Sequence, residues 1–429
     1  MNMRGKIVYT LGLFGAVAVL SGTACAAPVE ADAESMCARG KAPAAQERVG
    51  SGFGVTISAG EKNFEYRDGF ITPSDFSVAE EIERRRINAP LEKKIELVDE
   101  YVRNGADYKT AITVCFPLIE RTVAEIADYL YVAPINSTVQ YKNKRFTATE
   151  SKPGRALDEN RLYCSLYYAV RYGAFDKIKA ATVEIAPTVA REELKNKLVL
   201  RGGYTTVYET SSSGRAHNVA LAASKFDGLK IDAGETVSFN GTVGERTEKN
   251  GFRKAKIILN GEYTDGVGGG ACQASTAVYN AALKAGLEVT ANAHSICPSY
   301  CPPGLDAMIS SASDMRITNT TGSPVYFSVT TSGKKTRIEV YGERNEYDIE
   351  PLSEIAETID FEQKEFVDGE RKYFDETAES GDRLLITPGK NGYVSSTYLI
   401  YRKDGKFVKR VKIRSNVYKP TPQITVVAP

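Results

Sequence analysis

The chain has 429 residues, 42% of them hydrophobic and 25% charged, the balance of a globular protein with core material for two to four domains. A formal net charge of +1 excludes the strongly basic balance of a nucleic-acid-binding chain, so no nucleic-acid partner is expected. Only two histidines are present, which narrows the search for any imidazole base.

Read in chain order, the N-terminus has the form of an export signal. Arg4 and Lys6 precede an apolar run from Ile7 to Leu20, and Ala24-Cys25-Ala26 fits the small-x-small rule for cleavage after Ala26. Two rival readings are a lipid-modified Cys25, against which Gly22 stands where a leucine belongs, and an uncleaved anchor, for which the apolar run is short. Export permits disulfides and leaves Cys37, Cys115, Cys164, Cys272, Cys297 and Cys301 in the mature chain. Residues 27–48 are Ala-, Glu- and Pro-rich and read as a tether.

From 49 to 202 the pattern is that of a small α+β domain. Phe53 to Ile57 reads as a strand. Leu91, Ile95, Val98 and Val102 mark a helix stopped at Gly105, and Ile119, Val123, Ile126 and Leu130 mark another closed by Pro134. Asp158 opens a third helix through Val170, and Thr182 to Ile185 is a strand. Cys115 and Cys164 lie in apolar helical contexts, as a core pair or as two buried thiols.

The serines and glycine at 211–214 resemble a linker before a helix from Ala216 to Phe226. Lys254 to Leu259, Asn260-Gly261 and Glu262 to Thr264 predict a hairpin with a type I′ turn. After a central helix come a strand at Leu287 to Thr290 and a second hairpin. In it Val325, Phe327 and Val329 face Ile338 and Val340 around Ser332-Gly333. Beyond Glu343 an acidic connector leads to a β-rich tail, with strands at Tyr393 to Arg402 and Phe407 to Ser415 around Asp404-Gly405. The tail has no cysteine or histidine, so binding or spacing is expected there and not chemistry.

The run from Gly266 to Thr276 carries the strongest chemical signal. Cys272 follows three glycines and precedes a helical stripe at Ala274, Ala277, Val278, Ala281 and Ala285, with Gly286 as a stop. A thiol at a helix N-terminus is pushed toward the thiolate, and glycines such as Gly269 and Gly270 let backbone N–H groups approach a carbonyl oxygen. His294, at the end of the strand after this helix, is the favoured base, with Asp306 and Asp314 as candidate orienters. His217, within Arg215-Ala216-His217-Asn218, reads as structural or substrate-contacting. Arg215, Asn218, Gln273 and Ser275 are further candidates for substrate or oxyanion contact, although the 273–276 run also reads as capping chemistry. Cys297 and Cys301 are expected to form a disulfide in an exported protein, ahead of two free thiols or a metal site with His294; the spacing is a weak zinc signature, and no metal or cofactor is expected.

Several stretches resemble the VanW domain family. Glu235 to Asn240, Val243 to Thr247 and Asn250-Gly251-Phe252 are similar to its opening, and the glycine–cysteine run with Gln273, Ser275, Thr276, Tyr279 and Asn280 to its central motif. His294-Ser295, Tyr300, Pro303 to Ala307 and Asp314 to Asn319 follow in the family's order. The resemblance covers about residues 203–343. Phe146 to Thr149, Gly154 to Asp158 and Thr182 to Pro187 resemble a peptidoglycan-binding domain found before VanW domains. The tail from 344, with Gly389, Gly392, Gly405-Lys406 and Pro420, is similar to glycine-punctuated β modules of cell-wall proteins. The implied architecture is α+β, α+β, then all-β.

The family, named from vancomycin-resistance clusters, implies an exported cell-wall protein whose partners are peptidoglycan stem peptides. It implies an L,D-transpeptidase making 3→3 cross-links, with Cys272 as nucleophile and His294 as base. Cys297 and Cys301 depart from the apolar and proline residues usual in the histidine loop. A cysteine peptidase or amidase on stem peptides, and a non-catalytic wall-binding scaffold with a structural Cys272, are the alternatives. Oligomeric state is not legible.

Overall fold

Alternating apolar residues at Val325, Phe327, Val329, Ile338 and Val340 form the centre of the largest core, and every one of them is buried. The computed structural model describes residues 53–68, 87–172, 177–259 and 262–429. The expected signal and tether, Cys25, Cys37 and the Asn260-Gly261 turn lie outside the described residues. The chain divides into two compact units, Met1–Ala124 with Glu159–Ala180, and Glu125–Asp158 with Ala181–Pro429, so the 49–202 segment is shared between them.

The first unit pairs an antiparallel hairpin, Gly54–Ala59 and Lys62–Arg67, with a parallel strand, Lys177–Lys179. Helices Leu91–Arg103, Tyr108–Cys115 and Glu159–Tyr172 pack together, burying Val98, Ile112, Leu166 and Val170. The middle helix had no legible periodicity; it is eight residues long and is started by Asp107, whose carboxylate accepts from Thr110 N at 2.7 Å. The Lys94 ammonium, only 3% exposed, is satisfied by Asp68 at 2.6 Å. Among the described residues Cys115 and Cys164 are not joined in a disulfide.

The second unit is built on a four-stranded antiparallel sheet. In chain order its strands are β1 (Val199–Val207), β2 (Lys230–Ile231), β3 (Val325–Ser332) and β4 (Lys335–Gly342), and in space β1-β4-β3-β2. Helices α1 (Ser213–Ser224) and α2 (Ala271–Lys284) pack on each other and on this sheet. The serine-rich stretch before α1 is no linker. Ser212 caps the helix by accepting from Arg215 N at 3.3 Å, and 213–214 are its first turn.

Helix α2 departs from the amphipathic expectation because it is buried on nearly all sides. Its polar residues are consumed internally. Gln273 Nε2 donates to Thr206 Oγ1 at 2.7 Å, Ser275 Oγ to the Ala307 carbonyl at 2.6 Å, and Asn280 Nδ2 to the Leu305 carbonyl at 2.8 Å. Thr276 Oγ1 accepts from Ala307 N at 3.0 Å. One face of the helix therefore packs on the sheet, while the other clamps the 305–307 segment.

The expected connector after Glu343 is instead a twelve-residue strand, β5 (Asp348–Ile359). It pairs with β6 (Gly392–Lys403), which continues through the Asp404-Gly405 turn into β7 (Lys406–Tyr418). Charged residues along β5 find partners on the neighbouring strands, such as Glu350 with Arg402, which is why the segment reads as polar. A smaller sheet places Gln423–Val427 between Gln363–Val367 and Arg383–Thr387.

Phe327 is fully buried with its ring against Phe226, centroids 5.9 Å apart. Phe327→Ala is expected to cost about 3–5 kcal/mol, read as a lowered urea midpoint of the second unit; an unchanged midpoint would contradict its place in the core.

Candidate active site

The glycine run is shaped by close approach and by backbone sign. Gly270, the N-cap of α2, has φ 110, and a Cβ there would lie 2.9 Å from the Arg215 carbonyl. A Cβ on Gly269 would lie 2.5 Å from the Lys256 carbonyl. Asn218 ties the run down: its Nδ2 donates to the carbonyls of Gly269 at 2.9 Å and Arg253 at 2.8 Å, and its Oδ1 accepts from Arg253 N at 2.8 Å. The amides of Gly269, Gly270 and Cys272 find no acceptor among the described residues. Cys272 is the second residue of α2, where the unpaired N–H groups and the macrodipole favour a negative sulfur.

The segment clamped by α2 brings the other partners. His294 acts electrostatically on the Cys272 thiol, whose Sγ donates to the Ile309 carbonyl at 3.4 Å. Its Nδ1 lies 2.6 Å from Asp306 Oδ2, and its backbone N–H donates to the same oxygen at 2.7 Å. Asp306 is 0% exposed. The carboxylate thus sets the orientation of an imidazole that in turn influences the thiol.

Burial alone would raise the Cys272 pKa, but the hydrogen bond and charge of His294, the Ile309 backbone and the charge of Arg246 outweigh it and hold the thiol below its ordinary value. Burial likewise opposes protonation of His294, yet Asp306 and the thiol push it up to about 9. Asp306 is held below the usual carboxylate range despite its burial, chiefly by His294 and Tyr418. The neighbouring thiols behave oppositely. Burial pushes Cys297 up to about 11 and raises Cys301 strongly. Both are free thiols, so the expected Cys297–Cys301 disulfide is not formed. Of these three thiols only Cys272 is shifted toward the thiolate.

The remaining candidates sort by geometry. Asp314 accepts from Ser238 Oγ at 2.6 Å and Asn240 N at 2.9 Å, so it starts a short helix and does not orient the base. His217 Nε2 is spent on the Gly251 carbonyl at 2.9 Å. Asn218, Gln273 and Ser275 were expected to touch substrate, but each is buried and bonded internally. They support the glycine run, the sheet and the Ala307 backbone because the site is cut into a close-packed core. Arg215 remains beside the site: its guanidinium stands 5.9 Å from the Tyr300 ring centre, and that ring meets His294 edge-on at 6.5 Å.

Three contributors were not singled out from sequence. Arg246 packs against Gly268 and donates to Asn240 Oδ1 at 2.8 Å, and neither it nor Arg215 has a carboxylate partner among the described residues. Arg414 and Tyr418, on β7, both reach Asp306. A single Arg or Tyr in a strand carries no local signal for such a contact; only the alternation placing 414 and 418 on one face hints that they act together.

Residues 214–341 match the family described as "VanW like protein", and residues 357–428 match the G5 domain. The chain is 32% identical over 223 residues to protein YoaR of Bacillus subtilis, covering 51% of this chain and 72% of that protein. It is 26% identical over 149 residues to the vancomycin B-type resistance protein VanW of Enterococcus faecalis, covering 33% of this chain and 53% of that protein. Among solved structures, the IgA1 protease G5 domain is 17% identical, with TM-score 0.14, over 20% of this chain and 94% of that chain. The chain belongs to the VanW family and carries a G5 domain at its C-terminus.

Proposed function

We propose that this cell-wall-associated VanW-family protein is an exported cysteine acyltransferase of the L,D-transpeptidase type, acting on peptidoglycan stem peptides. One observation carries the reading. A thiol at a helix N-terminus is held below its ordinary pKa by an imidazole whose Nδ1 is gripped by a buried carboxylate.

In this reaction the Cys272 thiolate attacks the carbonyl carbon of the third stem residue. The oxyanion that forms accepts from the free amides of the glycine–cysteine turn, Gly269, Gly270 and Cys272. The carbon–nitrogen bond then breaks, His294 delivers its proton to the departing D-Ala amine, and a thioester remains on Cys272. An amine of a neighbouring stem attacks the thioester and gives its proton to His294, and the thiolate leaves as the 3→3 amide forms. Arg215 and Arg246, free of carboxylate partners among the described residues, suit a substrate that carries carboxylates.

Incubation with disaccharide-tetrapeptides and mass spectrometry of the products tests the reading. The wild type is expected to lose D-Ala and form dimers, and Cys272→Ala to do neither. Release of peptides without dimers would make it a hydrolase, and no turnover by the wild type would overturn both. His294→Ala is expected to slow iodoacetamide alkylation of Cys272 at neutral pH by about tenfold or more.

The pH dependence follows from the signs. His294 keeps its proton up to about pH 9, and the thiol titrates below its ordinary value, so the thiolate–imidazolium pair persists between the two. Turnover should fall above about pH 9 as His294 loses the proton for the leaving amine. A rate still climbing there like an ordinary thiol would contradict this. Arg246→Gln should lower kcat/KM about tenfold more on a tetrapeptide with a free terminal carboxylate than on the carboxamide analogue, which loses only what the Arg246 charge gives the thiolate.

A further inference from the structure

We infer that the G5 module is part of the catalytic apparatus: Tyr418 and Arg414, both on β7, are positioning residues that hold Asp306 against His294. The inference rests on the reading of Cys272 as an activated nucleophile, and it gives the C-terminal module a task beyond binding or spacing.

Each Asp306 oxygen has its own set of partners. Oδ2 faces His294 from both the ring and the backbone. Oδ1 accepts from the Tyr418 hydroxyl at 2.5 Å and faces Arg414 Nη2 at 3.4 Å. The same two side chains fix the backbone on either side of the carboxylate. Tyr418 Oη accepts from Gly304 N at 2.6 Å, and Arg414 donates to the Gly304 carbonyl, from Nε at 2.9 Å, and to the Asp306 carbonyl at 2.5 Å. Thr397 Oγ1, from β6, adds a bond to the Gly304 carbonyl at 2.8 Å. Lys419 N donates to the Ser295 carbonyl at 2.8 Å, one residue past the base.

The strand is shaped for this contact. Thr397 pairs with Arg414 while Tyr398 pairs with Lys412, so Ile413 is an unpaired bulge residue. A bulge re-aims the side chains that follow it, and from here Arg414 and Tyr418 share a face with Thr397 and Ser395. Tyr418 is 0% exposed, and the Arg414 guanidinium stacks 5.0 Å from the ring centre of Tyr279 on α2. The carboxylate's support therefore arrives from two directions, α2 through the 305–307 backbone and β7 through the side chains.

The consequence is chemical. A buried carboxylate with one oxygen left unpartnered takes up a proton more readily, and a protonated Asp306 no longer steadies an imidazolium. Tyr418→Phe removes one hydroxyl and leaves the packing volume, and Arg414→Lys keeps the charge but loses the fork. Alkylation of Cys272 by iodoacetamide across pH reads the thiolate without any substrate.

On the full chain, Tyr418→Phe is expected to slow alkylation at neutral pH by about tenfold and to move the acid limb of the profile to higher pH, with the melting temperature recorded alongside. Arg414→Lys should act in the same direction. In an Asp306→Asn background the Tyr418→Phe effect should vanish, because the group it acts through is gone. Unchanged alkylation in both variants, or the same slowing with and without Asp306, would overturn the inference. A wild-type Cys272 that alkylates no faster than a free thiol would instead overturn the nucleophile reading beneath it.

Discussion

Asp306 is a carboxylate with no solvent exposure, and the architecture around Cys272 follows from the need to keep it charged. Burying an unpaired carboxylate costs several kcal/mol even after relaxation, so every lone pair needs a partner with good geometry. The carboxylate's partners come from two places, His294 on its own loop and β7 through Tyr418 and Arg414, while α2 side chains fix the 305–307 backbone around it. With the carboxylate secured, a raised imidazole and a lowered thiol follow as electrostatic consequences.

The same requirement accounts for the composition of α2. A helix carrying Gln273, Ser275, Thr276 and Asn280 on its non-apolar side would ordinarily face water. Here those side chains are the bolts for an irregular segment, whose buried backbone groups need partners that no strand or helix supplies. Asn218 performs the corresponding task under the glycine run. Residues that look like substrate contacts in a motif are, in this fold, the means by which the geometry around Cys272 is held.

The electrostatic selectivity within one short loop is also informative. Cys272, Cys297 and Cys301 share a neighbourhood, yet only the first has its thiolate favoured. The difference lies in what each sulfur faces. Cys272 meets an imidazolium and a helix N-terminus, whereas the other two meet apolar packing and the negative charge of Asp306. Burial, joined by the charge of Asp306, raises the other two, while the same carboxylate favours the Cys272 thiolate through the intervening histidine.

Local chemistry determined much of this protein. The 3.6-residue period and terminal glycine placed α2, the two-residue period placed β3 and β4, and Asp404-Gly405 placed the β6–β7 turn, because each depends only on neighbours in the chain. The proposed nucleophile and base were singled out for the same reason: a cysteine at a glycine-marked helix start, and a single histidine in range. Tertiary structure alone decided between Asp306 and Asp314, turned Asn218, Gln273 and Ser275 from contacts into supports, and recruited Tyr418 and Arg414 from more than a hundred residues away. Those outcomes depend on which groups burial leaves without water, and no local pattern records that.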